Sequence, residues 1–239
     1  MIIKTRAIVL HAMKYGENGR VLKAMTEEEG MVPIFIRSVG SAKKGSITAY
    51  LEPMTRVELC HQRRPSGGMS ALRELSPCSS TDLMNSSIYR SSVSIFMAEV
   101  AHGVLHEEEK DPRLFELLWN WVDTLNEGGK MGDIPIRFLL SLSFTLGFAP
   151  DSESEGPYFD LREGLFIERV PAHGDYLGQE YSTALRSYME IEDLGIASKT
   201  LIKPYSKAIL TKHLLQYFHI HLPGFREIKS HKILAQIMS

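Results

Sequence analysis

The feature that most constrains the fold is a change in the spacing of apolar residues near residue 80. Before it, short segments rich in β-branched residues are separated by turns that contain glycine. The predicted strands are residues 4–13, 20–26, 31–39, 54–62 and 69–75. Five short strands joined by turns predict a small closed barrel, for which an OB-fold and an SH3-like barrel both remain open.

After residue 80 the apolar residues recur at helical intervals. The stripe of the first predicted helix is Tyr89, Val93, Phe96, Val100 and Leu105. Thr81 or Asp82 is suited to cap this helix, and Asp111 followed by Pro112 is a typical opening for the next one. The almost wholly apolar segment 134–150 predicts a central buried helix.

The rest of the chain predicts one hairpin among further helices. The hairpin turns at Glu163 and Gly164 and spans about 157–170. Helices are expected near 177–192, 204–221 and 229–238. The predicted fold class is therefore α+β. A five-stranded OB-type barrel over residues 1–80 is followed by a helical domain over residues 81–239 with an inserted β-hairpin.

The net charge of −2 hides an uneven distribution along the chain. Residues 1–80 carry 12 Lys and Arg against 7 Asp and Glu, and residues 199–239 carry 7 against 1. The acidic excess lies between them. Two basic segments of this kind are typical of a chain that binds a polyanion, although charge also varies along surfaces that bind nothing.

Motifs for catalysis and for bound cofactors are missing or incomplete. The segment 40–46 has the glycine spacing of a P-loop, but Ser46 stands where its lysine belongs. Glu99, His102 and His106 share a helical face without the further ligands of a two-metal site. The two cysteines, Cys60 and Cys78, exclude a disulfide scaffold. We predict a binding protein that is not an enzyme and has no metal or cofactor.

The amino terminus lacks the apolar core of a signal peptide, and no apolar run reaches the length of a membrane span. A cytoplasmic location is therefore expected.

The candidate binding residues are cations in the two basic segments. In the barrel they are Lys4, Arg6, Arg20, Arg37, Lys43, Lys44 and Arg56. Near the carboxyl terminus they are Lys203, Lys207, Lys212 and Lys229. Tyr50 is a candidate for stacking on a nucleic-acid base, whereas Phe35 is interpreted as a core residue. A protein-interaction scaffold and an RNA-binding protein remain alternatives.

Several short segments, in order along the chain, resemble those of the bacterial RecO family of recombination mediators. They are Thr5-Arg6-Ala7-Ile8-Val9-Leu10, Tyr15-Gly16-Glu17, Thr26-Glu27-Glu28-Glu29-Gly30, Leu51-Glu52-Pro53-Met54, Arg137-Phe138-Leu139-Leu140, Leu146-Gly147-Phe148, His221-Leu222-Pro223-Gly224-Phe225 and Ile228-Lys229-Ser230. The resemblance implies an amino-terminal OB-fold, a helical carboxyl-terminal domain, and binding and annealing of single- and double-stranded DNA without ATP. It also implies partnership with RecR and single-strand-binding protein (SSB). Together with RecR, such a protein is expected to help load RecA onto SSB-coated DNA at the nucleoid.

Two further expectations come from the same resemblance. Many family members have a four-cysteine zinc site in the stretch corresponding to 150–180, and this chain has no cysteine there. The family zinc site is therefore expected to be lost, with the hairpin in its place. Arg137 is the candidate that would bind the carboxylate of the SSB tail, the alternative being an ordinary ion pair on the helix surface.

Overall fold

The computed structural model describes residues 1–17, 19–37, 44–63, 68–78, 88–107, 109–127, 131–190 and 203–238. Its strands are β1 (Ile2–Tyr15), β2 (Gly19–Thr26), β3 (Gly30–Arg37), β4 (Arg56–Gln62), β5 (Ser70–Pro77), β6 (Tyr158–Asp160), β7 (Leu165–Ile167) and β8 (Tyr176–Leu177). Its helices are α1 (Lys44–Ala49), α2 (Ile88–Val104), α3 (Pro112–Glu127), α4 (Ile134–Thr145), α5 (Gln179–Met189), α6 (Pro204–His221) and α7 (Ser230–Met238). They form two compact units, Met1–Asn126 and Glu127–Ser239. The predicted domain division between residues 80 and 81 stays a prediction.

The first unit contains a closed barrel with the strand order β1-β2-β3-β5-β4. Neighbouring strands are antiparallel except for β3 and β5, which are parallel. In that parallel pair Ile34 lies opposite Ser70 and Phe35 opposite Ala71. This closure confirms the predicted five-stranded OB-type barrel.

Alternate residues of the barrel strands point into its core. Leu22 and Ala24 on β2 and Ile34 and Ile36 on β3 are buried in one cluster. Phe35 lies between two of these residues, so its side chain is on the outer surface, where it is half-buried. The interpretation of Phe35 as a core residue is wrong, because successive side chains of a strand point to opposite faces.

Helices α2 and α3 belong to the same unit as the barrel. The backbone N–H of Leu114 donates a hydrogen bond to Asp111 Oδ1 at 3.0 Å, which confirms the predicted start of α3. Phe96 on α2 and Trp121 on α3 are fully buried. The residues predicted to cap α2, Thr81 and Asp82, lie outside the described residues.

Two connections of the barrel have a defined structure of their own. The helix α1 lies in the connection between β3 and β4. Gly30, with a φ of +71°, begins β3, and a Cβ there would lie 2.0 Å from the carbonyl oxygen of Glu109. The conformation and the close approach both require glycine at this position.

The second unit is built around α4. The side chains of Ile136, Phe138 and Leu139 are fully buried, which confirms the predicted buried helix, although Phe144 near its end is 77% exposed. Helices α5 and α6 pack against α4, and α7 packs against α6. In the described part of the chain, no helix is both long enough and apolar enough to cross a membrane.

Strands β6, β7 and β8 form a small antiparallel sheet with β6 in the centre. Strands β6 and β7 are the predicted hairpin, and Gly164 lies in its turn with a φ of +71°. Asp160 Oδ1 accepts hydrogen bonds from the backbone N–H groups of Arg162 and Glu163 at 2.8 and 3.3 Å. The hairpin is confirmed, and β8 is a third strand that the sequence did not indicate.

Candidate nucleic-acid interface

Two of the predicted DNA-binding cations, Arg6 and Arg56, lie where α3 covers the barrel. The Arg6 guanidinium donates hydrogen bonds to both carboxylate oxygens of Glu27, at 2.8 and 2.5 Å, and Glu116 lies 3.6 Å away. It is also 4.8 Å from the ring centre of Trp119. The hydrogen bonds with Glu27 raise the pKa of Arg6 and lower that of Glu27. Carboxylates therefore already balance the charge of Arg6.

Arg56 is more enclosed still, with 8% of its surface exposed. Its Nη1 donates a hydrogen bond to Asp123 Oδ1 at 2.6 Å, and its Nη2 donates to the carbonyl oxygen of Trp119. The guanidinium carbon lies 4.7 Å from the ring centre of Trp119. Arg56 thus holds α3 against the barrel and presents little charge to solvent.

Lys4 remains on the surface, where its Nζ lies 3.5 Å from Glu58. An exposed pair of this kind is weak, so its lysine can exchange the carboxylate for a phosphate. Lys4 therefore stays a candidate for DNA contact.

A different part of the barrel surface lies where the strands β1, β2 and β3 meet at one end. Tyr15 is opposite Gly19, and Gly19 is opposite Arg37 on the next strand. The rings of Tyr15 and Phe35 meet edge to face, with their centres 6.0 Å apart and their planes at 78°. The Tyr15 side chain is 53% exposed. This end of the barrel therefore presents an aromatic pair to solvent.

Three cations lie at the same end of the barrel, Arg37 on the face of the aromatic pair and Lys14 and Arg20 on the opposite face. Lys14 lies opposite Arg20 on β2, and Arg37 ends β3. Among the described residues, none of the three has a carboxylate oxygen within 4.0 Å. We call Lys14, Tyr15, Arg20, Phe35 and Arg37 the barrel-end cluster. The neighbouring turn adds one exposed carboxylate, that of Glu17. The three cations outnumber it, so the local charge is positive.

The connection after Arg37 contributes less to the described surface. Lys43 lies outside the described residues, and Lys44 begins α1. Tyr50 is half-buried and packs against the barrel core. The structure therefore favours a packing role for Tyr50 over base stacking.

The basic residues of the second unit differ in exposure. Lys203, Lys212 and Lys229 are exposed. Lys207 is buried and its Nζ lies 2.7 Å from Asp133 Oδ1. Lys207 is thus part of the packing of this unit, and the exposed lysines are the ones that can contact phosphate.

Asp133 is also the partner of a tyrosine near the predicted SSB-tail residue. The hydroxyl of Tyr188 donates a hydrogen bond to Asp133 Oδ1 at 2.5 Å. Burial, and secondarily this hydrogen bond, raise the pKa of Tyr188, while the charge of Arg137 lowers it. Arg137 is half-buried on α4, one turn after Asp133.

The side chains between residues 150 and 180 do not fit a four-thiolate zinc site, because this stretch has no cysteine. Polar side-chain contacts are found around the small sheet. Arg162 binds Asp175 at 2.6 Å, and His173 Nε2 lies 3.2 Å from Asp160. Within the part of the chain that the structure describes, no group of three His, Cys, Asp or Glu side chains is placed to hold a metal ion.

Sequence reasoning therefore overlooked three members of the barrel-end cluster. Lys14 and Tyr15 were not candidates, and Phe35 was assigned to the core. The signal that would have found Phe35 is the alternation of Val32, Ile34 and Ile36, which places Phe35 on the opposite face.

Known proteins are similar to this chain over its whole length. The family model described as Recombination protein O N terminal matches residues 1–81, and that described as Recombination protein O C terminal matches residues 85–231. The chain is 30% identical to the DNA repair protein RecO of Flavobacterium psychrophilum, over all of both chains. It is 29% identical to the proteins of that name from Flavobacterium johnsoniae, again over all of both chains, and from Porphyromonas gingivalis, over 99% of each.

Proposed function

Because the chain belongs to the RecO family of DNA repair and recombination proteins, we propose that it binds single- and double-stranded DNA and anneals complementary strands. Together with RecR, it would help to load RecA onto DNA covered by SSB. The proposed function requires DNA binding but no making or breaking of covalent bonds. The chain would therefore act as a recombination mediator in the cytoplasm, at the nucleoid, and not as an enzyme.

The observation that carries the proposal is the barrel-end cluster. Arg37 shares a strand face with the exposed Tyr15 ring and the half-buried Phe35 ring, and Arg20 lies at the same end of the barrel on the opposite face. No carboxylate oxygen of the described residues lies within 4.0 Å of either guanidinium. Cations of this kind gain free energy from phosphates by releasing the counterions that surround DNA. Arg6 and Arg56 are bound to carboxylates, so we do not include them in the proposed DNA-binding surface.

The proposed annealing of two DNA strands depends on two cationic surfaces on one protein. Two complementary strands repel each other because each carries a dense row of phosphates. The barrel-end cluster would neutralise one strand, and the exposed Lys203, Lys212 and Lys229 of the second unit would neutralise another. Holding both on one protein raises their local concentration, and base pairing then supplies the driving force.

The proposed SSB contact is Arg137. A guanidinium can bind the terminal carboxylate of the tail through two parallel hydrogen bonds. We expect Arg137→Ala to weaken binding of a peptide with the SSB tail sequence, and Arg137→Lys to restore it only in part, because an ammonium lacks the fork geometry. Fluorescence anisotropy of the labelled peptide measures both. Unchanged affinity in Arg137→Ala would remove this residue from the site.

A salt titration of single-stranded DNA binding tests the barrel-end cluster. With about four to six phosphate contacts, log K should fall with log salt at a slope of about −3 to −4. Arg20→Gln and Arg37→Gln should each reduce the size of that slope by about 0.7. The matched control is Lys110→Gln, because Lys110 lies outside the barrel-end cluster among carboxylates, 3.1 Å from Glu28 and between Glu109 and Asp111 in sequence. Local negative charge repels phosphates there, so its slope should not change.

Other outcomes of this titration would favour the other two functions. Equal slopes in all variants would contradict the assignment of the cluster. Binding at about 50 mM salt that vanishes at physiological salt would favour a protein-interaction scaffold. Stronger competition by an RNA oligomer than by a DNA oligomer of the same sequence would favour an RNA-binding protein.

A further inference from the structure

We propose that Tyr15 is a base-stacking residue, braced by Phe35, and that it gives the barrel a preference for single-stranded over duplex DNA. This inference rests on the proposed function and goes beyond it, because it assigns the discrimination between the two forms of DNA to one aromatic side chain.

Tyr15 is largely exposed at the end of β1. More than half of its side chain, 53%, is open to solvent, whereas Phe35 is half-buried. Neither residue belongs to the barrel core, which the inward-facing side chains of β2 and β3 already fill. Core packing therefore does not account for the position of Tyr15.

Gly19 lies between the two rings and makes their contact possible. It is opposite Tyr15 on one side, and a Cβ at this position would lie 2.5 Å from Phe35 Cε2 and 2.9 Å from the carbonyl oxygen of Tyr15. The absence of a side chain therefore lets the Phe35 ring lie against the backbone of β2. In that position Phe35 meets the Tyr15 ring at 78°, with 6.0 Å between centres, and limits its rotation.

The charges around the rings identify the ligand as a nucleic-acid strand. Arg37 lies two residues after Phe35 on the same face of β3, opposite Gly19, so it is the cation nearest the rings in the register. Lys14 and Arg20 form a pair on the opposite face at the same end of the barrel and add positive charge there. An apolar ligand or an acidic peptide would use either the rings or the cations. A nucleotide uses both, because its base stacks on the ring while its phosphate binds the guanidinium.

Stacking on Tyr15 requires a base with a free face. In a duplex each base is stacked between its neighbours, so the aromatic ring adds nothing to duplex binding unless the base is unstacked first. The cations, in contrast, bind the phosphates of both forms. Removal of the ring should therefore lower affinity for the single strand alone, by about 5- to 150-fold if one base is stacked.

The test compares Tyr15→Leu with the conservative Tyr15→Phe by fluorescence anisotropy at one salt concentration. The probes are a labelled single-stranded oligonucleotide and a labelled hairpin duplex with the same number of phosphates. We expect Tyr15→Leu to weaken single-strand binding at least fivefold and duplex binding less than twofold. Tyr15→Phe should bind both probes within twofold of the original protein. Thermal unfolding checks that both variants are folded.

A spectroscopic signal separates stacking from a general loss of binding. The fluorescence of 2-aminopurine in the single strand should be quenched by the original protein and by Tyr15→Phe, and not by Tyr15→Leu. Phe35→Leu should reduce the quenching, because it removes the brace. Equal losses for both probes in Tyr15→Leu, or no loss for either, would overturn the inference.

The same experiments distinguish this inference from the proposed function. If the protein binds both probes with the expected salt dependence and Tyr15→Leu keeps the preference for the single strand, only the stacking role fails. If the original protein binds neither probe, the proposed function fails as well, and the inference with it.

Discussion

We expect Asp123→Ala to destabilise the protein more than Arg56→Met does, although Asp123 is the more exposed partner of the pair. Arg56 is 8% exposed, whereas the side chain of Asp123 is 57% exposed. Asp123→Ala leaves a buried guanidinium whose Nε already lacks a hydrogen-bond partner among the described residues. Arg56→Met removes that charge and leaves a carboxylate that water can solvate.

The magnitudes follow from the contacts. Breaking a buried ion pair from one side costs about 3–5 kcal/mol, and the solvated position of Asp123 places Asp123→Ala at the lower end, about 3 kcal/mol. For Arg56→Met, the loss of the charged hydrogen bonds and of the contact with Trp119 is about 2–3 kcal/mol. Burial of the methionine side chain offsets about 1 kcal/mol, which leaves about 1–2 kcal/mol.

Urea unfolding followed by tryptophan fluorescence measures both free energies, because Trp119 and Trp121 lie on α3. The double variant should cost little more than Arg56→Met alone, because the carboxylate no longer has a buried partner. Arg37→Gln, in the exposed barrel-end cluster, is the control and should stay within about 0.5 kcal/mol of the original protein. A larger cost for Arg56→Met than for Asp123→Ala would refute the reasoning.

Two further predictions concern backbone conformation and pH. Gly30→Ala should lower the free energy of unfolding by more than about 2 kcal/mol, because its Cβ would lie 2.0 Å from a carbonyl oxygen. Gly16 has a φ of +64° but open space around it, so Gly16→Ala should lower the free energy of unfolding by only about 1 kcal/mol in the same urea titration. His61 is fully buried, and burial lowers its pKa below the ordinary value, an effect that the charge of Glu29 opposes without reversing it. The unfolded chain therefore binds the proton more readily, so the free energy of unfolding should fall as the pH falls below about 6.5, by up to about 1.4 kcal/mol per pH unit. His61→Gln should flatten this dependence between pH 7.5 and about 5.5, although His213, whose pKa burial also lowers, keeps part of it.

The elements that sequence predicted are those whose signals are local. The barrel strands follow from alternation between turns, and the start of α3 follows from Asp111, whose carboxylate caps the helix directly. Gly164 in the turn of the hairpin is a signal of the same kind. Each of these depends on residues within a few positions of one another, so one sequence is enough to find them.

The features that the sequence could not indicate are contacts between residues far apart in the chain. Arg56 was a candidate for DNA contact, but its partner Asp123 is 67 residues away and no local pattern joins them. Lys207 is paired with the distant Asp133 in the same way. The sequence does not indicate whether a given cation is paired with a distant carboxylate. The cations of the barrel-end cluster could therefore be distinguished from buried, paired cations only in the structure.

The closure of the barrel between β3 and β5 has a consequence for assembly. Between β3 and β5 only two pairs of described residues are joined, so the part of β5 beyond Ala71 has a described neighbouring strand only on its β4 side. A partner segment can add as a strand only along such a one-sided stretch. Strand β2 is paired on both sides along its whole length, so a partner there must dock through side chains and can leave without rupture of the main-chain ladder.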